Sequence, residues 1–124
     1  MAIASQPACT GMKDLPDAAL AQVAAYFQAL SEPTRLRVLN HLRQGEHSVG
    51  ELAQACGYSS ANISRHLALL TQHGLVTRQS RGNSVFYGIA DASVFALCDL
   101  VCGSIARQLE RTAPGRAAFG TPPA

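Results

Sequence analysis

The stretch SVGELAQACGYSSANISRHLALLTQHGLV (Ser48–Val76) divides into two short helical patterns around one glycine. Ser48 and Glu51 have the spacing of a capping box, which opens a helix carrying Val49, Leu52 and Ala55 and stopping at Gly57. Ser59 caps the next helix, Ile63, Leu67 and Leu70 form its buried stripe, and Gly74 ends it. Its opposite face holds Ser60, Ala61, Ser64, Arg65, Ala68 and Gln72. Two helices joined through Gly57-Tyr58-Ser59 predict a helix-turn-helix unit. A second helix with small polar residues and one Arg on its outer face suits a DNA major groove, because its backbone can approach the base edges.

The flanks fit around this unit. Downstream, Leu75–Gln79 and Ser84–Ile89 are β-prone runs around the turn Ser80-Arg81-Gly82-Asn83, which predicts a hairpin. Upstream, Asp17 is placed to cap a helix running to about Leu30, with Leu20, Val23, Ala24, Phe27 and Leu30 at helical spacing. Pro33 opens a second helix that buries Leu36, Leu39 and Leu42 and ends near Gly45. A last helix, capped by Asp91 or Ser93, runs to about Arg111 and is apolar on more than one face. The expected organisation is a leader over 1–16, one mainly α domain with a small β-hairpin over 17–112, and a Pro- and Gly-rich tail over 113–124.

The totals agree with one globular domain. The chain has 124 residues, of which 48% are apolar and 15% charged, with a net charge of only +2. Such a charge does not itself indicate a nucleic-acid partner; the distribution does. Arg65, Arg78 and Arg81 lie in a segment with no acidic residue between Glu51 and Asp91. No run approaches the roughly 18 apolar residues of a membrane span, and the N-terminus lacks the pattern of a signal peptide. A cytoplasmic protein is expected, whose cysteines are packing residues, metal ligands or sensors before they are structural disulfides. Nothing pairs a nucleophile with a base and no phosphate-cradling glycine loop follows a strand, so an enzyme is not expected.

Three stretches, ALSEPTRLRVLNHL (29–42), Ser48–Val76 as quoted and RQSRGNSVFYGI (78–89), together resemble the ArsR/SmtB family of bacterial repressors. The resemblance covers about half the chain, Leu30 to Ile89. It implies a winged helix-turn-helix homodimer with the first and last helices at the subunit interface, bound to double-stranded operator DNA until an inducer releases it. On that pattern Ser60, Asn62, Ser64, Arg65 and His66 belong to the recognition helix, with Ser64 and Arg65 facing bases. His66 is equally readable as a structural neighbour of the core. Ser59 and Ser60 offer donors to a phosphate at the helix N-terminus, and Arg78, Arg81 and Asn83 lie on the wing.

Cys98 and Cys102 are four residues apart on the last helix, about 6 Å along its axis and on one face. Parallel Cβ vectors discourage a disulfide there, whereas one soft ion with bonds of about 2.3 Å bridges two thiolates with less distortion. Thiolates without a neighbouring His or carboxylate on that face select thiophilic species. Within the family this points to As(III) or Sb(III) as inducer, with Cys9 as candidate third ligand from either subunit. Two departures matter. The cysteine-rich metal box of many arsenic repressors corresponds here to Ser48–Ala53, without a thiol, and the last helix has no His of the kind zinc sensors use. His41, His47 and His73 read as surface or packing residues, and Cys56 as core. Two other readings stay open: a thiol redox or persulfide sensor of the same fold, and a winged-helix module that binds protein.

Overall fold

The structure is a computed structural model that describes residues 11–110. In chain order the elements are α1 (Asp17–Leu30), α2 (Pro33–Leu42), β1 (His47–Ser48), α3 (Val49–Cys56), α4 (Ser60–Gln72), β2 (Val76–Arg81), β3 (Ser84–Ile89) and α5 (Ser93–Leu109). The expected tail, part of the leader and Cys9 lie outside the described residues. Among the described residues no helix is long and apolar enough to cross a membrane.

Helix α4 is held where it is by burial. Ile63, Leu67 and Leu70 have no exposed surface, and they meet Val38 and Leu42 of α2, Leu52 of α3 and Leu75 at the end of the turn. Full burial is worth roughly 1.5–3 kcal/mol for each such side chain, against about 1 kcal/mol for a cap, so the stripe dominates. The caps set the ends. Ser59 Oγ accepts from the Asn62 N–H at 3.1 Å, and Gly74 leaves the helix at φ +74°. The capping box of α3 is present in both directions, Ser48 Oγ with the Glu51 N–H at 3.2 Å and Glu51 Oε1 with the Ser48 N–H at 2.9 Å.

Several local expectations need correction. Pro16, not Asp17, stands at the N-cap of α1, and Asp17 is its first helical residue. Leu36 is 41% exposed; Val38 takes its place in the core, because α2 is apolar on two faces and Leu36 lies on the one turned to α5. In α3 the buried residues are Leu52, Ala53 and Cys56, while Ala55 is exposed. At the start of α5 Ala92 is the N-cap, and Asp91 Oδ1 accepts the Ser93 N–H at 2.9 Å from one position before it.

The hairpin is tighter than the sequence suggests, and it is not alone. Strand β2 runs through Arg81, which pairs with Ser84, so the turn is only Gly82-Asn83. Glycine stands first in it with φ +62°, as a two-residue turn with left-handed backbone at that position requires. A third strand, β1, pairs antiparallel with β3 through His47–Tyr87 and Ser48–Phe86, in the order β1-β3-β2.

Candidate functional site

The turn between α3 and α4 is built on Gly57. Its φ of +75° lets both its own N–H and that of Tyr58 reach Ala53 O, at 2.9 and 3.1 Å. The chain therefore turns within three residues, between Cys56 at the end of α3 and Ser60 at the start of α4. Ser60, Ala61, Ser64, Arg65, Ala68 and Gln72 are all exposed, so the expected outer face exists as a continuous surface. Arg65 Nη2 donates to Asn62 Oδ1 at 2.7 Å, which holds the guanidinium along the face. The first N–H groups of a helix have no intrahelical acceptor; here Ser59 Oγ takes that of Asn62, and the Ser59 hydroxyl keeps its proton to donate. Tyr58, 42% exposed at the turn, adds a phenol that the sequence patterns did not single out.

His66 is arranged differently. Its side chain is only 15% exposed, and its ring lies between Glu32 and Arg35 of the α1–α2 corner, with Nε2 3.4 Å from Glu32 Oε2 and Nδ1 3.4 Å from Arg35 Nη1. Glu32 is also the N-cap of α2, accepting from the Thr34 N–H, and that bond chiefly holds its carboxyl below the usual carboxylate range.

The wing divides its arginines. Arg78 and Arg81 are an odd number of positions apart in β2, so they project from opposite faces. Arg78 is exposed, and its side chain makes no hydrogen bond or ion pair among the described residues. Arg81 is engaged: its Nη2 meets Glu46 Oε1 at 2.7 Å and Gln79 Oε1 at 2.9 Å, and its guanidinium lies 5.5 Å from the Phe86 ring centroid. Glu46 reaches it across Gly88, where an added Cβ would stand 3.2 Å from the Glu46 side chain. The basic segment without acidic residues thus has an acid folded onto it. Asn83 sits at the exposed turn.

That pair makes a prediction. Glu46→Gln removes a negative charge from a surface offered to phosphates and frees Arg81. Duplex affinity is expected to rise by roughly threefold at low salt, on the scale of one exposed ion pair, with a steeper salt dependence. Fluorescence anisotropy on a labelled duplex over a salt series checks it; unchanged affinity at every salt concentration would remove the wing face of Arg81 from the interface.

On the far side of α2, Cys98 is half-buried and Cys102 exposed, both as free thiols. Both line an apolar groove of about 450 Å³ between α1 and α5, with Phe27, Leu30, Leu97 and Ile105 among its walls. Both also line a second groove of about 470 Å³ toward α2, with Arg37, Asn40, Arg43 and Asp99. Arg43 donates to Asp99 Oδ2 at 2.6 Å and lies 4.7 Å over the Phe95 ring. Burial, then the neighbouring Cys102 and Asp99, push the Cys98 thiol up, against a smaller opposite pull from Arg43. Cys56 is buried in the core and its thiol is also pushed up by burial. No group of three His, Cys, Asp or Glu able to hold a metal ion exists among the described residues. Phe27 on α1 and Val101 on α5, at the edge of the first groove, remain exposed, as does Leu100 outside both grooves, to 71%.

Residues 30–79 match a helix-turn-helix domain family. The chain is 40% identical over 85 residues to the HTH-type transcriptional regulator NmtR of Mycobacterium tuberculosis, which covers 68% of this chain and 71% of that protein. A probable mercury resistance operon repressor of Streptomyces lividans is 34% identical over 71 residues, 57% of each chain. Among solved structures, the homodimeric winged helix-turn-helix DNA-binding domain Mb0332 of Mycobacterium bovis, described as a possible ArsR-family transcriptional regulator, superposes with a TM-score of 0.69. It is 35% identical, over 81% of this chain and 95% of that one.

Proposed function

This chain belongs to the ArsR/SmtB family of helix-turn-helix transcriptional regulators, and from that premise we propose that it is a dimeric operator-binding repressor released by As(III) or Sb(III) at Cys98 and Cys102. Its output is DNA binding, through the exposed face of α4 with Arg78 on the wing. Its dimer contact is the apolar surface of α1 and α5, where Phe27, Leu100 and Val101 are large apolar side chains left exposed. A twofold dimer repeats the recognition helix at the spacing of successive grooves.

One observation carries the inducer reading: two free thiols on one face of α5 share the rim of both grooves, and no imidazole joins them there. Contrary to the expectation of no carboxylate nearby, Asp99 lines the second groove beside the thiols, but it is paired with Arg43 at 2.6 Å. Soft sulfur ligation suits a metalloid better than a harder divalent ion. The relative named for mercury resistance supports a thiophilic signal in this family. A third sulfur, from Cys9 of either subunit, is the proposed completion of the site.

Proton balance separates the candidates. Arsenous acid brings its own hydroxides: As(OH)₃ and two thiols give a dithiolate As–OH and two waters, with no proton released. A divalent cation must displace both thiol protons, the harder for the raised Cys98 thiol. Below the thiol range, divalent-metal affinity is therefore expected to rise up to about 100-fold per pH unit, two protons at tenfold each, while arsenite affinity stays nearly flat from pH 6 to 8. The test is release of a labelled operator by arsenite, antimonite, Zn²⁺, Ni²⁺ and persulfide across that range. Release by oxidants or persulfide alone would make the protein a thiol redox sensor, and no operator binding at any salt concentration would leave a protein-interaction module.

A further inference from the structure

The walls of both grooves beside Cys98 and Cys102 come from α1, α2, α5 and the Ser31 corner, and none comes from α4. Apart from the core that Val94 of α5 shares with the α4 stripe, a change at the thiols reaches the recognition helix through another element. The α1–α2 corner lines the grooves and makes polar contacts to α4. Leu30, Ser31 and Pro33 line the grooves, while Glu32 and Arg35, interleaved with them, turn toward α4.

The atoms at this corner define a chain of contacts. Arg35 Nε donates to Ala29 O at 2.6 Å and Nη2 to Gln28 O at 3.2 Å, so the guanidinium closes the carbonyl end of α1, where the helix dipole favours a cation. Its remaining nitrogen, Nη1, faces His66 Nδ1. A guanidinium only donates, so Nδ1 must offer its lone pair. The ring hydrogen then sits on Nε2, aimed at Glu32 Oε2. The neutral Nε2–H tautomer is the one form that satisfies both neighbours: a hydrogen on Nδ1 would confront the Arg35 donor, and a bare Nε2 would confront the carboxylate. His66 is next to Arg65 and on the flank of the buried stripe, three residues after Ile63 and four before Leu70. Its contacts therefore add a polar tether on the flank of the stripe that already sets how α4 is turned.

We propose that Arg35, His66 and Glu32 are positioning residues for DNA recognition: they lock the rotation of α4 to the α1–α2 corner and carry occupancy of the α5 thiols to Arg65. The second half rests on the proposed inducer site; the first does not. His66 on this reading acts through Arg65 and Ser64 and touches no base.

The imidazole ¹⁵N resonances of the full-length protein are expected to show His66 with a protonated Nε2 and a bare Nδ1, free and on operator DNA. A hydrogen on Nδ1 overturns the proposal, and this readout needs no variant to fold. His66→Leu keeps an apolar filling in place of the ring, and Arg35→Lys keeps the cation at α1 but cannot serve two carbonyls and an imidazole at once. Each is expected to lower operator affinity roughly tenfold while affinity for a random-sequence duplex stays within about twofold, and the double variant to be no worse than the poorer single. Multiplying losses, or equal losses on both duplexes, overturn it. In His66→Leu arsenite should still bind but no longer weaken operator binding; retained release overturns the coupling. A wild-type protein that ignores arsenite refutes the inducer assignment and leaves the tautomer and specificity results to decide on positioning.

Discussion

Replacing Arg65 by alanine is expected to abolish operator binding while leaving the fold and the dimer intact. Arg65 is the single cation on the exposed face of α4, and its guanidinium is laid along that face by Asn62. A good bidentate contact to a base pair is worth about 1–3 kcal/mol. A twofold dimer makes the contact twice, so the loss is about 2–6 kcal/mol, or roughly 30-fold to more than 10⁴-fold in affinity. The side chain is exposed and supports nothing in the core, so the unfolding midpoint and the protomer–dimer equilibrium should stay as in the wild type. Titration of the variant on operator and random duplexes, beside analytical ultracentrifugation, reads all of these. Operator affinity within threefold of wild type would mean that α4 does not enter the groove with this face. Asn62→Ala, which removes the tether and keeps the charge, should lose specificity by less than Arg65→Ala and keep nonspecific affinity.

The reason that face was legible in the sequence is periodic. Ile63, Leu67 and Leu70 mark one side of a helix whose ends are signalled by Ser59 and Gly74, and the opposite side follows from 3.6 residues per turn. The capping box at Ser48 was equally local. What escaped needs contacts between residues far apart in the chain. Strand β1 is two residues, His47-Ser48, with no alternation of its own, and it exists only because β3 offers an edge. The neutralisation of Arg81 depends on Glu46, brought across Gly88 by that same pairing. Leu36 was misplaced because α2 satisfies two partners, the core through Val38, Leu39 and Leu42 and the grooves beside α5 through Leu36. A one-faced template cannot represent that helix. His66 is the intermediate case. Its position on the flank of the apolar stripe hints at an inward ring, but the partners that hold it, Glu32 and Arg35, appear only when α2 packs against α4.

Serine in place of Cys98 or Cys102 is expected to give a repressor that binds its operator as the wild type does and no longer lets go. The exchange of S–H for O–H is nearly isosteric. Neither side chain lies in the fully buried core, Cys102 being exposed, so stability should change by less than about 1 kcal/mol. The chemistry changes completely, since a hydroxyl stays protonated at neutral pH and binds a thiophilic metalloid poorly. The two positions play different parts in the pair. Cys98 lies deeper, at the junction of both grooves, and its loss removes the anchor that burial keeps in place. Cys102 closes the pair from the exposed side. Because binding to the operator-free form is linked to release, the wild-type protein on DNA must bind arsenite more weakly by the same factor as arsenite weakens operator binding. Both serine variants should reduce that factor to about one, as no differential binding remains to shift the equilibrium. Arsenite titrations of free and operator-bound protein, wild type and each variant, measure it directly. Normal release in either variant would move the inducer site away from α5, whereas loss of operator binding in both would mean that the thiols serve the dimer contact instead of the signal.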